Sequence, residues 1–469
     1  MSQGVSWLHD PALIQSLYIV AFSLFIYGLM GLTGPKTAVR GNLIAAAGMA
    51  VAVGATLLTP GMGNWWLILL GVAIGTAVGI PAARRVKMTA MPQMVALFNG
   101  VGGGAVALIA WVEFRTTHGY AEEPRYVAIA SLFSAVVGSV SFWGSNIAFG
   151  KLQEILPGRP IGLGRLQQPL NLVLLLIAVG CAVAIVAGGD AELLMIVLLL
   201  SSAVLGVTVV LPIGGADMPV VISLLNAFTG LSAAAMGLAL DNTALIVAGM
   251  IVGASGSILT NLMAKAMNRS IPAIVAGGFG GGGTAAAVDA GDRSVRQTSA
   301  ADAAIQMAYA KQVVVVPGYG MAVAQAQHAV AEMAELLEAR GVSVLYAIHP
   351  VAGRMPGHMN VLLAEADVPF EHQKEMDDVN GEFPRTDVAL VIGANDVTNP
   401  AARTDPASPI YGMPILNVDA SRSVIVLKRS MNPGFAGVDN ALYFDPKTSM
   451  LFGDAKSSVS ELTAELKTL

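Results

Sequence analysis

The chain has 469 residues, 55% of them hydrophobic and only 12% charged, with a mean hydropathy of +0.66; it is too apolar for an ordinary water-soluble enzyme, and much of it must sit in lipid. Residues 1–288 hold 12 Lys and Arg against 9 Asp and Glu, whereas residues 289–469 hold 14 against 22. The second part is therefore an acidic soluble domain, which argues against nucleic acid as a partner, and the single cysteine, Cys181, excludes an intrachain disulfide or a cysteine-based metal site.

Nine apolar segments, each near the roughly 20 residues that a bilayer requires, run over 13–30, 39–58, 65–80, 91–112, 126–149, 170–188, 193–211, 218–240 and 243–264. No Lys or Arg precedes the first, so it reads as an anchor and not as a cleaved signal. Loops on the side of the soluble domain carry Lys36, Arg40, Arg84, Arg85, Lys87, Lys151, Arg159, Arg165, Lys265 and Arg269; the far side carries only Arg115 and Arg125. That asymmetry predicts an outside N-terminus and a cytoplasmic C-terminal domain.

Apart from Arg40, at the very start of the second segment, the spans contain no charged residue or histidine within these boundaries, but they contain Asn99, Asn146, Asn171 and Asn226 with Ser145 and Ser223. Such groups turn inward and find partners, either as packing contacts or as a site. Asp217 closes the run Gly214-Gly215-Ala216-Asp217 before the Asn226 span. It reads either as a proton relay or as a helix cap. The glycines at 100–104 and 249–256 fit closely packed helices and carry no site by themselves.

A glycine-rich stretch, 276–284, reads as a linker. The expected organisation is a membrane domain at 1–265, a linker at 266–299 and a soluble domain at 300–469. Strands are expected at 313–316, 342–348, 388–392, 415–418 and 424–427, with helices at 322–340, 360–366 and 457–466. Alternation of this kind gives an α/β Rossmann-like domain with a parallel sheet, whose ligand lies beyond the carboxyl ends of the strands.

Four loops fall there. Gly318-Tyr319-Gly320 opens a G-x-G-x-x-V turn in which Val323 replaces the third glycine. The stretch His349 to His358 offers Arg354 where an NAD-reading domain usually has a carboxylate for the ribose diol; its two histidines are expected to be hydrogen-bonded loop residues and not metal ligands. In Gly393-Ala394-Asn395-Asp396-Val397, small residues admit a flat ring, and Asn395 with Asp396 can bond a carboxamide or ribose, or form an Asx turn before Pro400. The fourth, Lys428-Arg429-Ser430-Met431-Asn432-Pro433-Gly434-Phe435, sets two cations at a strand end and suits a ribose 2′-phosphate. Together the four loops predict NADP binding.

The strings 317–325, 348–360, 393–396 and 428–432, with Gly214 to Pro219 and Asn268-Arg269-Ser270 in the membrane part, closely resemble the β subunit of proton-translocating NAD(P) transhydrogenase over essentially the whole chain. The resemblance implies NADP(H) bound by the C-terminal domain in an orientation inverted from ordinary dinucleotide folds. It implies NAD(H) on an α subunit that adds further membrane helices, and direct hydride transfer coupled to proton translocation. It also implies a dimeric complex in a bacterial inner membrane. NADP contacts are then implied at Tyr319, Val351, Ala352, Gly353, Arg354, Met355, Pro356, Gly393 to Val397, Gly412, Met413, Lys428 to Phe435, Asp454 and Ala455. Proton coupling is implied at Asp217, Asn226, Ser145 and Arg269. Phe435 stands where many members have tyrosine. Asn99 stands where some place the membrane histidine, so the titrating group is expected on the partner, since an amide cannot titrate. No metal is expected. The rival reading is a channel or transporter gated by a cytosolic nucleotide-sensing Rossmann domain, but the T-V-G-Y-G filter of such a channel is absent.

Overall fold

The computed structural model describes residues 9–32, 35–86, 90–157, 160–214, 217–267, 270–275, 295–354, 357–408, 410–434 and 436–469. Arg269, Met355, Pro356, Phe435, Lys87, Arg159 and the expected linker stretch at 276–284 lie outside them. Nine helices among the described residues are long and apolar enough to span a bilayer: α1 (Pro11–Gly31), α2 (Pro35–Leu57), α3 (Trp65–Arg85), α4 (Met91–Thr116), α5 (Arg125–Leu152), α6 (Gln167–Val186), α7 (Glu192–Val210), α8 (Met218–Ala239) and α9 (Thr243–Ala266). Their ends reach past the apolar cores. The third expected span gains a turn because the helix continues through Pro81 to Arg85, and Lys151, expected in a loop, is buried in the last turn of α5.

The bundle is built on α5, which packs on α4, α6, α7 and α8, while α9 packs on α8 and α1 on α2. Small residues set these distances, as expected. A Cβ on Gly249 would meet Ala234 N at 2.4 Å and Gly230 O at 2.6 Å, so α8 and α9 touch backbone to backbone. A short helix, α10 (Ile271–Val275), follows.

The soluble part alternates: α11 (Ala300–Ala308), β1 (Gln312–Pro317), α12 (Tyr319–Ala324), α13 (Gln327–Ala339), β2 (Ser343–Ile348), α14 (His358–Glu365), β3 (Gln373–Glu375), α15 (Met376–Val379), β4 (Val388–Ile392), α16 (Ala401–Thr404), β5 (Ser423–Lys428), β6 (Thr448–Phe452) and α17 (Ala455–Thr468). Its six strands pair in the order β3-β2-β1-β4-β5-β6, all parallel. The strand order reverses between β1 and β4, which is where such sheets take ligands. The two central strands read as unbroken apolar runs because both faces are covered. Val313 and Val315 lie in one core with α13, α14 and α17; Val314 and Val316 lie in the other with Phe383, Leu442 and Tyr443.

Three expectations are corrected. The single helix at 322–340 is two, divided at Gln325, whose backbone is left-handed at φ 51°. Residues 415–418 are not a strand: Leu416 N bonds Val397 O, Val418 N bonds Leu416 O, and a 3-10 turn follows. The edge strands β3 and β6 were not foreseen. β3 has three residues, Gln373, Lys374 and Glu375, with no apolar alternation, and in β6 the buried polar pair Thr448 and Ser449 masks the run.

Candidate functional site

All four expected loops emerge from the carboxyl edge of the sheet, after β1, β2, β4 and β5. The first and third are joined at the point where strand order reverses. Gly318 N donates to Ile392 O and Gly320 N to Gly393 O, both at 2.9 Å. Gly393 has φ +64°, and a Cβ there would lie 2.3 Å from Gly320 Cα. The glycines of the G-x-G turn therefore serve loop-to-loop contact, and the Gly320 amide is engaged within the protein.

The second loop is fastened by its histidines. The His349 Nδ1 accepts from Val351 N, which fixes Nε2–H as the donor to Pro414 O at 2.8 Å; Arg354 N donates to His358 Nδ1. His349 is thus a hydrogen-bonded loop residue, as expected; His358 is hydrogen-bonded too, but it is the first residue of α14 and not part of the loop. Among the described residues no group of three or more His, Cys, Asp or Glu side chains is placed to hold a metal. Burial holds both imidazoles down to about 4, and at His358 the Arg354 charge acts in the same direction.

The unfolded chain protonates these rings near 6.5, the folded one only near 4. Across that window the unfolded state binds more protons, so stability present above pH 6.5 is lost as pH falls toward 4. The loss is on the order of 3 kcal/mol per ring. We expect thermal melting of the detergent-solubilised chain, followed by circular dichroism, to fall over this range, and the slope to lessen in His349→Leu. A pH-independent transition would contradict it.

Arg354 leaves this loop toward two neighbours. Its guanidinium stacks 4.4 Å above the Tyr319 ring and reaches the membrane half, donating to Leu152 O and Glu154 Oε1.

The third and fourth loops interlock. Asn395 Oδ1 accepts from Tyr443 Oη at 2.8 Å and Asn440 Nδ2 at 3.1 Å, while its Nδ2 is buried with no partner among the described residues. Asp396 Oδ2 accepts from Ala436 N, just past the fourth loop, while the Asx turn expected before Pro400 forms at Asn399, whose Oδ1 accepts from Ala401 N at 3.0 Å. At the end of β5 the two cations divide. Lys428 is half-buried, its amine bonded to Asn432 O and 4.8 Å from the Tyr443 ring centre; burial lowers its pKa against the pull of Asp396 and Asp439. Arg429 and Ser430 are exposed. Gly412 and Met413 line a groove of about 510 Å³ with Met376, Arg403 and Ile415, and Gly412 N bonds Ala402 O. Asp454, at the end of β6, caps α17 through Lys456 N and Ser457 N.

The family model for the NAD(P) transhydrogenase beta subunit matches residues 14–465. A curated NAD(P) transhydrogenase subunit beta of Rhodospirillum rubrum is 50% identical over 458 residues, 96% of this chain and 98% of its own length, and the same subunit from a named strain of that species matches equally. The chain belongs to the NAD(P) transhydrogenase beta subunit family.

As a transhydrogenase β subunit it is part of an enzyme complex with an α subunit and uses nicotinamide nucleotides. Its membrane half contains a polar chain across three helices. Asn99 Nδ2 donates to Ser145 Oγ at 2.9 Å and contacts Ser141 Oγ at 3.4 Å; Ser141 meets Thr229 at 2.6 Å. Asn99 Oδ1 is buried and finds no partner among the described residues. Asn226 lies outside this chain of bonds, half-buried on α8. Asp217 stands at the N-cap position of α8, and its side chain makes no capping hydrogen bond there.

Sequence reasoning missed Ser141, Thr229, Asn440 and Tyr443. Ser141 sits one turn from Ser145, and that spacing was a usable signal. Thr229, Asn440 and Tyr443 come from distant segments with no local cue.

Proposed function

We propose that this β subunit holds NADP(H) along the carboxyl edge of its sheet and exchanges a hydride directly with NAD(H) held by the α subunit, in step with proton movement through the membrane helices. One observation carries the reading: loops far apart in sequence converge on one edge, where an exposed Arg429 and Ser430 stand ready for a 2′-phosphate and the ribose-reading loop 349–358 offers Arg354 and no carboxylate. The buried Nδ2 of Asn395, left over after its oxygen is satisfied, suits a ligand acceptor. The bond from Gly320 N to Gly393 O takes that amide out of use for a pyrophosphate, which supports an orientation inverted from that of an ordinary dinucleotide fold. Tyr319, Val351 to Pro356, Gly412, Met413 and the 428–435 loop complete the surround, with Asp454 and Ala455 at its margin.

When bound, NADPH supplies a hydride that converts NAD+ to NADH and leaves NADP+. That exchange neither takes up nor releases a proton, so coupling to proton flow has to act through binding and conformation. In this reading residues 1–265 form the proton-conducting domain of a bacterial inner membrane protein, 266–299 a linker and 300–469 a cytoplasmic domain. Asp217, Asn226, Ser145 and Asn99 line the route, Arg269 is a further coupling residue, and an α-subunit group titrates beside the Asn99 amide.

The test is purification with the α subunit and an assay of NADPH-dependent reduction of an NAD analogue in proteoliposomes. Reduction is expected, faster with an uncoupler present. No reduction by an assembled complex would rule the reading out.

A further inference from the structure

The last turn of α5 joins parts of the molecule that are otherwise separate. On the membrane side Gln93 of α4 donates to Leu152 O at 3.2 Å. The buried Lys151 amine donates to Leu211 O at 2.5 Å and Ile213 O at 2.7 Å, satisfying carbonyls at the end of α7 on the segment that leads to Asp217. On the soluble side Arg354 donates to the same Leu152 O at 2.7 Å and to Glu154 Oε1 at 2.9 Å. The Arg354 side chain is 13% exposed in that position, whereas Glu154 is 76% exposed. Two turns up the same helix, Ser145 holds Asn99. A helix is stiff along its axis, so displacement of its end reaches Ser145 and the 211–213 turn together.

We propose that the α5 terminus at 152–154 is the docking site of the 349–354 segment, with Glu154 as the positioning residue that holds Arg354 there. The inference rests on the reading of that loop as part of the NADP(H) site. Arg354 then answers to two sets of anionic or acceptor groups, the nucleotide's and those of the α5 terminus. A change of nucleotide state alters how firmly the loop grips α5, and by the reciprocity of linkage a change in the bundle alters nucleotide affinity.

The test uses the whole complex with the α subunit. Glu154→Arg sets two cations against each other, while Glu154→Gln keeps an acceptor for Arg354. Both variants change one exposed side chain outside the nucleotide loops, so folding is checked by turnover with uncoupler present, which should stay within about twofold of wild type. Uncoupler stimulation is expected to fall to a ratio near one in Glu154→Arg, with proton movement reported by a pH-sensitive dye lost in parallel, and to be retained in Glu154→Gln. NADP+ affinity is measured on the same complexes. Wild-type stimulation in Glu154→Arg with NADP+ binding intact overturns the docking inference and leaves the nucleotide reading standing. A wild-type complex that binds no NADP+ overturns that reading and the inference with it. If Glu154→Arg does not assemble, Glu154→Ala is read by the same ratio, and an unchanged ratio there overturns the inference.

Discussion

Gly393→Val is expected to abolish NADP+ binding and to destabilise the soluble domain by at least about 3 kcal/mol. Two effects add. The residue sits at φ +64°, where a β-branched side chain is strained, and its Cβ would lie 2.3 Å from Gly320 Cα and 2.7 Å from Gly320 N and C. Backbone cannot step aside as a side-chain tip can, so the loops after β1 and β4 must part and the Gly320 N to Gly393 O bond is lost. Gly341→Ala is the control. It too has a positive φ, +86°, but nothing lies within 4 Å, so the cost should stay near the roughly 1–2 kcal/mol of left-handed backbone alone. Chemical unfolding and NADP+ titration measure both. Equal destabilisation by the two variants would show that loop contact contributes little.

Arg429→Ala is expected to weaken NADP(H) binding about 10- to 150-fold, the range for losing a charge-assisted hydrogen bond of about 1.5–3 kcal/mol. A nucleotide lacking the 2′-phosphate should bind nearly as before, because the exposed guanidinium has no partner of its own among the described residues to lose. Lys428→Ala should behave differently. That amine holds Asn432 O and packs on Tyr443, whose hydroxyl grips Asn395, so its removal loosens two loops and weakens both ligands. Isothermal titration with each ligand separates the cases. Equal losses for both ligands in Arg429→Ala would place the phosphate elsewhere.

Much of the fold was written in short-range pattern. Apolar runs of helical length gave nine spans whose existence needed no tertiary information, because a bilayer leaves backbone polar groups no alternative to internal bonding. The unbroken valine run of β1 and the apolar run of β4 announced buried parallel strands. The candidate loops were legible for a related reason: turn residues and cations at strand ends are local chemistry, and parallel order puts every such end on one edge.

What stayed hidden depends on contacts between distant segments. The pairing of Gly320 with Gly393, the division of labour between Lys428 and Arg429, and the grip of Tyr443 and Asn440 on Asn395 arise only when strand residues from 24 (Val424 and Thr448) to 75 (Val313 and Val388) positions apart lie side by side. The break at Gln325 and the loss of the expected strand at 415–418 are cases in which those contacts overrode local propensity. The sequence by itself thus determined the two-part architecture and the residue types at the ligand edge, since periodicity and turn chemistry are local. Only the tertiary structure decided which of those residues stay exposed at that edge and which hold the loops, and that Arg354 reaches α5, because a hydrogen bond is satisfied by whichever group folding brings within about 3 Å.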